Sequence, residues 1–382
     1  MRTVLVCSAG FGEGHHTAAR SLCAAFDELG AAQGVRAEFV DILAERHPRL
    51  NKLLTRGYVQ VLNRAPHLWA SFYRTIDGVR GVGAPPAALA TLRAAIVELL
   101  ERTRPAAVVS TYPVYGYVLD DIAQRGGPSA FLRVTVITDS ISVNAVWLRA
   151  GCHFYVVANE ETAAVLRARG VAAEDIRVLG FPVHPRFVEL RERIPRPDSA
   201  DPQPGQGRRV LYLINAGKRN APALVRRLLK EIDGLSLTVA TGRDERLRAA
   251  VERIVAEAGP ACAARTRVIG WTKEMPELLC AHHLLISKAG GATVQETIAA
   301  GCPMLMSQVA PGQEEGNARL LLEGDAGALA LTPKATVAAV RAAFADHAAL
   351  CRRWMQNIAR LSRPDAARDI ARFVLSQMGS GN

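Results

Sequence analysis

Short β-rich runs alternate with longer helical stretches along this chain, and the alternation occurs twice in its 382 residues. Apolar, β-branched runs that are separated by helical patterns predict parallel strands joined by crossover helices. In the first half we predict strands over residues 4–8, 38–42, 107–111, 134–138, 154–158 and 177–179. In the second half we predict strands over residues 210–214, 237–240, 267–269, 284–287, 304–307 and 328–331. The fold class is therefore α/β, with two Rossmann-like, doubly wound domains that face a cleft.

A stretch rich in proline and glycine separates the two halves. Residues 191–209 hold four prolines and two glycines among polar side chains. This composition continues neither a helix nor a strand. We therefore predict an N-terminal domain over residues 1–190, a linker over 191–209 and a C-terminal domain over 210–363. A last helix over residues 364–377 is predicted to pack back on the first domain.

The composition restricts the class of protein. Hydrophobic residues make up 49% of the chain and charged residues 22%, which excludes a disordered or fibrous protein. No apolar run approaches the roughly 20 residues that cross a bilayer, so we expect a cytoplasmic protein. The seven cysteines show no C-x-x-C spacing, which indicates neither a disulfide framework nor a zinc site. Neither a D-x-D pair nor an H-E-x-x-H motif is present, so we expect no metal ion.

The formal net charge of +11 favours an anionic partner, which is a nucleotide, a nucleic acid or an acidic membrane surface. The basic residues are dispersed and no nucleic-acid-binding motif occurs, so we do not expect a nucleic acid. Residues 56–80 mix aromatic and basic side chains, which suits the headgroup layer of an anionic membrane. The same aromatic residues would also suit the core of two packed helices. This mixed set comprises Tyr58, Arg64, His67, Trp69, Phe72, Tyr73, Arg74 and Arg80.

The first predicted strand leads into a glycine-rich turn that opens a helix. Gly12 and Gly14 precede His15 and His16 in this turn. The free amides and the dipole of a helix N-terminus attract an anion and lower the pKa of a nearby histidine toward its neutral form. We take His15 as a candidate base for an acceptor hydroxyl, and His16, about 100° further round the helix, as structural or solvent-facing. The alternative is that the glycines only pack the helix against the sheet.

A second junction of strand, glycines and helix follows residues 284–287. Gly290 and Gly291 let the backbone approach a phosphate closely, and the Thr293 hydroxyl can bind it. Glu296 stands one helical turn later, and its carboxylate suits ribose hydroxyls. The sequence therefore predicts a nucleotide site at this junction.

The loop after the following strand carries amide and carboxylate side chains. Gln313 and Glu314 stand just before Asn317, and such groups suit the several hydroxyls of a hexose. On their own they would equally be an ordinary polar loop and helix start. Their position one strand and helix after the phosphate turn favours a sugar site.

These stretches resemble the monogalactosyldiacylglycerol synthase and processive diacylglycerol glucosyltransferase family, which is related to the glucosaminyltransferase MurG. The resemblance spans nearly the whole chain and is weak from about residue 20 to 105. The first half carries it at Gly12, Gly14, His15, Ala18, Thr138, Asp139 and Trp147. The second half carries it at Gly270, Met275, residues 288–293, Glu296, residues 311–314, Gly316 and Asn317. Where the family has a histidine in its T-D-x-x-x-x-H-x-x-W pattern, this chain has Asn144.

The resemblance implies a GT-B fold and an inverting transferase that moves a hexose from a UDP-sugar to a lipid acceptor such as diacylglycerol. It implies His15 as the base and a UDP-sugar that serves as substrate, with no cofactor and no metal. It also favours peripheral contact of residues 56–80 with an anionic membrane at the inner face of the cell membrane. The implied acceptor-side residues are Gly12, Gly14, Asp139, Asn144 and Trp147. The implied donor-binding residues are Gly217, Gly242, Arg243, Gly270, Trp271, Met275, Lys288, Gly290, Gly291, Ala292, Thr293, Glu296, Gln313, Glu314 and Asn317.

Asn144 keeps two other functions open. Asparagine cannot act as an acid or a base, although it can hydrogen-bond an acceptor. The first alternative is the same donor chemistry on a soluble acceptor, such as a natural product or a cell-wall precursor. The second is a protein that binds a UDP-sugar without catalysis.

Overall fold

The computed structural model describes residues 1–10, 13–46, 48, 90–194, 208–312 and 314–379. Within them the chain forms two parallel sheets of six strands each, flanked by helices. The predicted pair of doubly wound sheets is confirmed. The prediction for residues 56–80 lies outside the described residues.

The strands, in chain order, are β1 Arg2–Cys7, β2 Val35–Val40, β3 Ala107–Ser110, β4 Leu132–Val136, β5 Phe154–Val157, β6 Ile176–Val178, β7 Arg208–Leu213, β8 Leu235–Ala240, β9 Thr266–Ile269, β10 Leu284–Lys288, β11 Met304–Gln308 and β12 Gly327–Leu329. The described helices are α1 Glu13–Gly30, α2 Ile42–Arg46, α3 Ala90–Thr103, α4 Val114–Gln124, α5 Glu160–Ala168, α6 Arg186–Arg193, α7 Ala221–Glu231, α8 Glu245–Glu257, α9 Pro260–Ala263, α10 Met275–Ala281, α11 Gly291–Ala300, α12 Glu315–Glu323, α13 Pro333–Leu361 and α14 Ala366–Gly379. Short 3-10 turns occupy Ala31–Gln33, Ala145–Leu148 and Ala173–Asp175.

The chain divides into two compact units. The first comprises Met1–Pro185, Ala310–Gly316 and Arg363–Asn382, and the second comprises Arg186–Val309 and Asn317–Ser362. The boundary therefore lies between Pro185 and Arg186, and the prediction of a linker over 191–209 is wrong at its start. The physical reason is α6, which packs against α10 and α11 of the second unit. Residues 195–207 of the predicted linker lie outside the described residues.

The first sheet has the strand order β2-β1-β3-β4-β5-β6, with every pair parallel. Alternate side chains of β1 enter two cores, as expected for a strand that is buried on both faces. Val4 and Val6 join the core that contains α1 and α14, and Leu5 and Cys7 join the core that contains α3 and α4. The helix α14 packs directly on α1, so the end of the chain is part of the first unit.

The second sheet has the strand order β12-β11-β10-β7-β8-β9. From its other edge this is the order of dinucleotide-binding folds, in which the winding reverses between the first and fourth strands. Its main core lies between the sheet and α7, α8 and α13, and it includes Val210, Leu237, Ile286 and Trp354. The reversal falls between β7 and β10, which puts the end of β10 at the expected position of a ligand site.

Two further observations concern the described residues. No helix among them has the length and apolarity needed to cross a bilayer. All seven cysteines are free thiols, and Cys7, Cys280, Cys302 and Cys351 are buried.

Candidate functional site

His15 lies in the first turn of α1, at the carboxyl end of the first sheet. The winding of this sheet reverses between β1 and β3, so the loops after these strands diverge and leave room for a ligand. Thr111 follows β3 and Thr138 follows β4 at the same edge. Both residues contact His15.

The hydrogen bonds of His15 define its tautomer. Its Nδ1 lies 3.0 Å from the carbonyl oxygen of Thr111 and 2.7 Å from Oγ1 of Thr138. A carbonyl oxygen only accepts, so Nδ1 carries the proton and donates it to Thr111. The lone pair is therefore on Nε2, which is the atom that can accept a proton from a substrate.

The surroundings of His15 keep the ring neutral. The pKa of His15 is lowered from 6.5 to about 4, mainly by burial; the bond to Thr111 acts in the opposite direction, and the electrostatic effect of His16 adds to the lowering. The ring is consequently unprotonated at Nε2 near neutral pH, as a general base requires.

Two aromatic side chains flank His15. The ring of Tyr112 packs edge-on with a centroid distance of 5.1 Å, and the ring of Trp147 lies 6.0 Å away. The indole Nε1 of Trp147 donates to Oδ2 of Asp139 at 2.7 Å. The structure therefore brings the predicted residues His15, Asp139 and Trp147 together. Thr111 and Tyr112 were not predicted as site residues, although their position at the end of a predicted strand was the available signal.

Asn144 has a structural role in this loop. Its side chain is only 3% exposed, and its Oδ1 accepts a hydrogen bond from the backbone N of Val146 at 3.0 Å. Asn144 is thus the N-cap of the 3-10 turn that carries Trp147. Of the remaining predicted acceptor-side residues, Gly14 lies in the first turn of α1 and Gly12 is outside the described residues.

His16 lies on a different side of α1 from His15. Its Nε2 pairs with Oδ2 of Asp41 at 2.9 Å, and its ring packs edge-on against Phe39. Asp41 also accepts a bond from the backbone N of Ala44. His16 therefore joins the start of α1 to the segment after β2.

The second unit presents a glycine-rich junction between β10 and α11. Gly290 is the N-cap of α11, and the first bond of the helix runs from the Val294 N to the Gly290 oxygen at 2.9 Å. The amides of residues 291–293 therefore point out of the helix end, where the dipole favours negative charge. The Ala289 N donates to the Gln308 oxygen at 2.9 Å, which fixes the turn to β11. A helix N-terminus of this geometry can bind a phosphate.

Glu296 stands one turn into α11, on the predicted ribose position. Burial raises the pKa of its carboxyl from 4.5 to about 7. None of the described residues is hydrogen-bonded to this carboxyl group, so its oxygens remain available to a ligand. A desolvated carboxyl beside a helix N-terminus can accept hydrogen bonds from a ribose diol.

Asn215, at the end of β7, links that strand to the glycine-rich junction. Its Oδ1 accepts from Oγ of Ser287 at 3.0 Å and from the backbone N of Lys288 at 3.4 Å. Gly217 follows with a φ of 65° and lies beside Gln308. The family resemblance implied Gly217 and Lys288 but not the Asn215 side chain, which links the two strand ends.

Arg243 and Trp271 form an exposed pair at the ends of β8 and β9. The guanidinium of Arg243 lies 5.0 Å from the centroid of the Trp271 ring, whose side chain is 55% exposed. Gly242 turns the chain there with a φ of 64°, and Gly270 lies beside its carbonyl oxygen. Large exposed indoles are uncommon, and this one is available for a flat ligand.

The predicted sugar loop is closed by its own backbone. Oε2 of Glu314 accepts from the Ala310 N at 2.9 Å, and the Glu314 N donates to the Ala310 oxygen at 3.0 Å. Glu314 is 5% exposed, so one carboxylate oxygen supports the loop. Nδ2 of Asn317 donates to the Ala289 oxygen at 3.2 Å, whereas its Oδ1 is buried and has no hydrogen-bond partner among the described residues. Gln313 lies outside the described residues.

Three predicted donor residues complete the second unit. Met275 is the first residue of α10, and Ala292 and Thr293 lie in the first turn of α11. No group of three His, Cys, Asp or Glu side chains suited to a metal ion occurs in the part of the chain that the structure describes.

Comparisons with known proteins agree with this geometry. Residues 15–183 match the family described as Monogalactosyldiacylglycerol (MGDG) synthase. The processive diacylglycerol beta-glucosyltransferase of Bacillus subtilis (strain 168) is 23% identical over 380 residues, which cover 98% of this chain and 95% of that protein. The probable monogalactosyldiacylglycerol synthase 2 (chloroplastic) of Oryza sativa subsp. japonica is 26% identical over 394 residues, which cover 98% of this chain and 80% of that protein.

Solved structures share the fold across the whole chain. MurG of Acinetobacter baumannii superposes with a TM-score of 0.62 at 16% identity, covering 98% of this chain and 100% of that one. MnaA of S. aureus with UDP superposes with a TM-score of 0.63 at 12% identity, covering 99% of this chain and 97% of that one. The solved structures show the GT-B fold, and the activity class, glycosyltransferase, comes from the named sequence relatives. Within that class the chain is similar in sequence to the diacylglycerol glucosyltransferases and monogalactosyldiacylglycerol synthases, which confirms the resemblance.

Proposed function

We propose that this protein moves a hexose from a UDP-sugar to a lipid acceptor such as diacylglycerol, with inversion at the anomeric carbon. The names of relatives that match nearly the whole chain support the lipid acceptor and the hexosyl transfer. The UDP part of the donor is supported by the phosphate geometry of the β10–α11 junction and by Glu296 one turn later.

The state of His15 is the observation that carries the catalytic step. With Nδ1 donating to Thr111, Nε2 accepts the proton of the acceptor hydroxyl. The hydroxyl oxygen forms a bond to the anomeric carbon while the bond from that carbon to the diphosphate oxygen breaks. One such displacement inverts the configuration, and UDP leaves with the electron pair.

Charge on the departing diphosphate is stabilised by the first turn of α11. Three outward amides and the positive helix end act on it without reorganising during the reaction. We propose that transfer needs no metal ion, because these groups supply the stabilisation that a cation gives elsewhere. The sugar hydroxyls bind the loop that contains Glu314.

The structure weakens the argument for a soluble acceptor. A soluble acceptor was favoured only by Asn144, and this residue is a buried cap of a backbone turn. We further propose peripheral contact with an anionic membrane at its inner face. The net charge of +11 supports this contact, because basic residues near a surface are attracted to acidic lipids.

His15→Ala tests the proposal with His16→Ala as the neighbouring control. We expect His15→Ala to slow transfer roughly 10²- to 10⁴-fold while UDP affinity stays within about twofold, since a general base contributes to turnover rather than donor binding. His16→Ala leaves His15 and its bond to Thr111 in place. Normal turnover in His15→Ala, or an equal loss in both variants, would contradict the assignment.

A further inference from the structure

Residues 140–142 form a three-residue turn at the carboxyl end of the first sheet. The Ser142 N donates to the Ser140 oxygen at 2.7 Å, and Ile141 between them has a φ of 62°. A β-branched residue with positive φ is rare and strained. Strain of this kind persists only where the surroundings hold the backbone, and it concentrates at functional sites.

The start of α5 holds the turn from behind. The Ile141 N donates to Oγ1 of Thr162 at 3.0 Å, and that hydroxyl donates to Oδ1 of Asn159, the N-cap of α5, at 2.6 Å. Thr162 is fully buried and the Ile141 side chain is 4% exposed. The turn is therefore a rigid element.

Both flanks of the turn contact the candidate base. On one side Oγ1 of Thr138 lies 2.7 Å from Nδ1 of His15. On the other side the ring of Trp147 packs near His15 and is bonded to Asp139. A displacement of the turn would therefore be transmitted to the groups that orient His15.

Gly316 sits directly on this turn, within the same compact unit. A Cβ atom at position 316 would lie 1.9 Å from the Ser140 oxygen, 2.5 Å from Oγ of Ser142 and 2.8 Å from the Ser142 N. The nearest of these is a backbone atom of a strained, anchored turn, which cannot move aside. Only glycine permits this approach.

We propose that Gly316 is a positioning residue for transfer: its contact with the turn at 140–142 fixes the loop Ala310–Gly316 relative to His15. The inference rests on the proposed function, which places the hexose of the donor against this loop. A misplacement of about 1 Å at a reacting centre can cost roughly 100-fold in rate. The contact therefore serves turnover rather than nucleotide affinity.

The experiment compares Gly316→Ala with Arg319→Ala, an exposed residue of the same helix outside the loop. We expect Gly316→Ala to lower kcat roughly 10- to 100-fold with the UDP Kd within about twofold, and Arg319→Ala to leave both nearly unchanged. Ser142→Leu introduces a larger side chain into the same contact from the other side, and it should lower kcat as Gly316→Ala does. Ser142→Ala should behave as wild type, because Oγ of Ser142 has no hydrogen-bond partner among the described residues.

Amide hydrogen exchange of the peptide 138–144 provides a readout that does not depend on activity. Gly316→Ala and Ser142→Leu should speed exchange in this peptide at least roughly tenfold, because either substitution breaks the contact between residue 316 and the turn at 140–142. Unchanged exchange, or an unchanged kcat in both variants, overturns the proposal. A wild-type protein without transfer activity would contradict the proposed function. The exchange data would still test whether Gly316 holds the turn at 140–142 in place.

Discussion

The desolvated, partly buried carboxyl of Glu296 predicts a specific dependence of stability on pH. Its pKa is about 7 in the folded protein against 4.5 for the free group. Below pH 4.5 the group is protonated in both states, and as the pH rises toward 7 the unfolded chain releases the proton first. Stability therefore falls through this window and the loss is complete above about pH 7. At about 1.4 kcal/mol per pKa unit the full effect is about 3 kcal/mol, and partial exposure reduces the expectation to about 1 to 3 kcal/mol.

Glu296→Gln isolates this effect, because glutamine resembles the protonated acid at every pH. Urea unfolding of wild type and variant between about pH 5 and about pH 8 should show the variant gaining relative stability by about 1 to 3 kcal/mol as the pH rises. Glu315→Gln, on an exposed carboxylate of α12, is the control and should parallel wild type. A constant difference between wild type and Glu296→Gln across the range would refute the desolvation of this carboxyl. The same desolvated acceptor predicts that Glu296→Ala weakens UDP binding by about 1 to 3 kcal/mol in calorimetry.

Three further predictions concern turnover and the acceptor loop. The pKa of His15 is about 4, so kcat at saturating donor should not fall with a midpoint near pH 6.5 as the pH is lowered. A midpoint near pH 6.5 would mean that the base is another group or that His15 is not desolvated. Asn144→His should lower the unfolding free energy by at least about 0.5 to 2 kcal/mol through the lost cap and should not raise transfer to lipid; a more active and equally stable variant would contradict the structural role. After dialysis against EDTA the transfer rate should stay within about twofold of the rate before dialysis, since helix amides stabilise the leaving diphosphate. A loss of activity that a divalent cation restores would contradict this.

Local patterns were sufficient for the fold and for the phosphate junction. The predicted strands are all present, with ends shifted by at most three residues. The position of Gly290, Gly291 and Glu296 follows from a strand, two glycines and a helix that are adjacent in sequence, so no distant contact is needed to place them. The sequence resemblance identified the enzyme class for the same reason, because its motifs are short and local.

Contacts between distant residues were not predictable from these patterns. Thr111 is 96 positions from His15, so its role in setting the tautomer appears only when the strands are brought together. The cap formed by Asn144 depends on a turn that has no helical or strand period. The boundary at Pro185 depends on the packing of α6, which outweighs the proline content of the following stretch. Tertiary packing decided each of these points.

The most direct test of the central claim is to incubate the purified protein with UDP-sugars, with and without anionic vesicles that contain diacylglycerol, and to follow UDP release and lipid products. We predict lipid-dependent UDP release and a glycolipid whose anomeric configuration is inverted relative to the donor. UDP binding without any lipid product, or a product of retained configuration, would contradict the account.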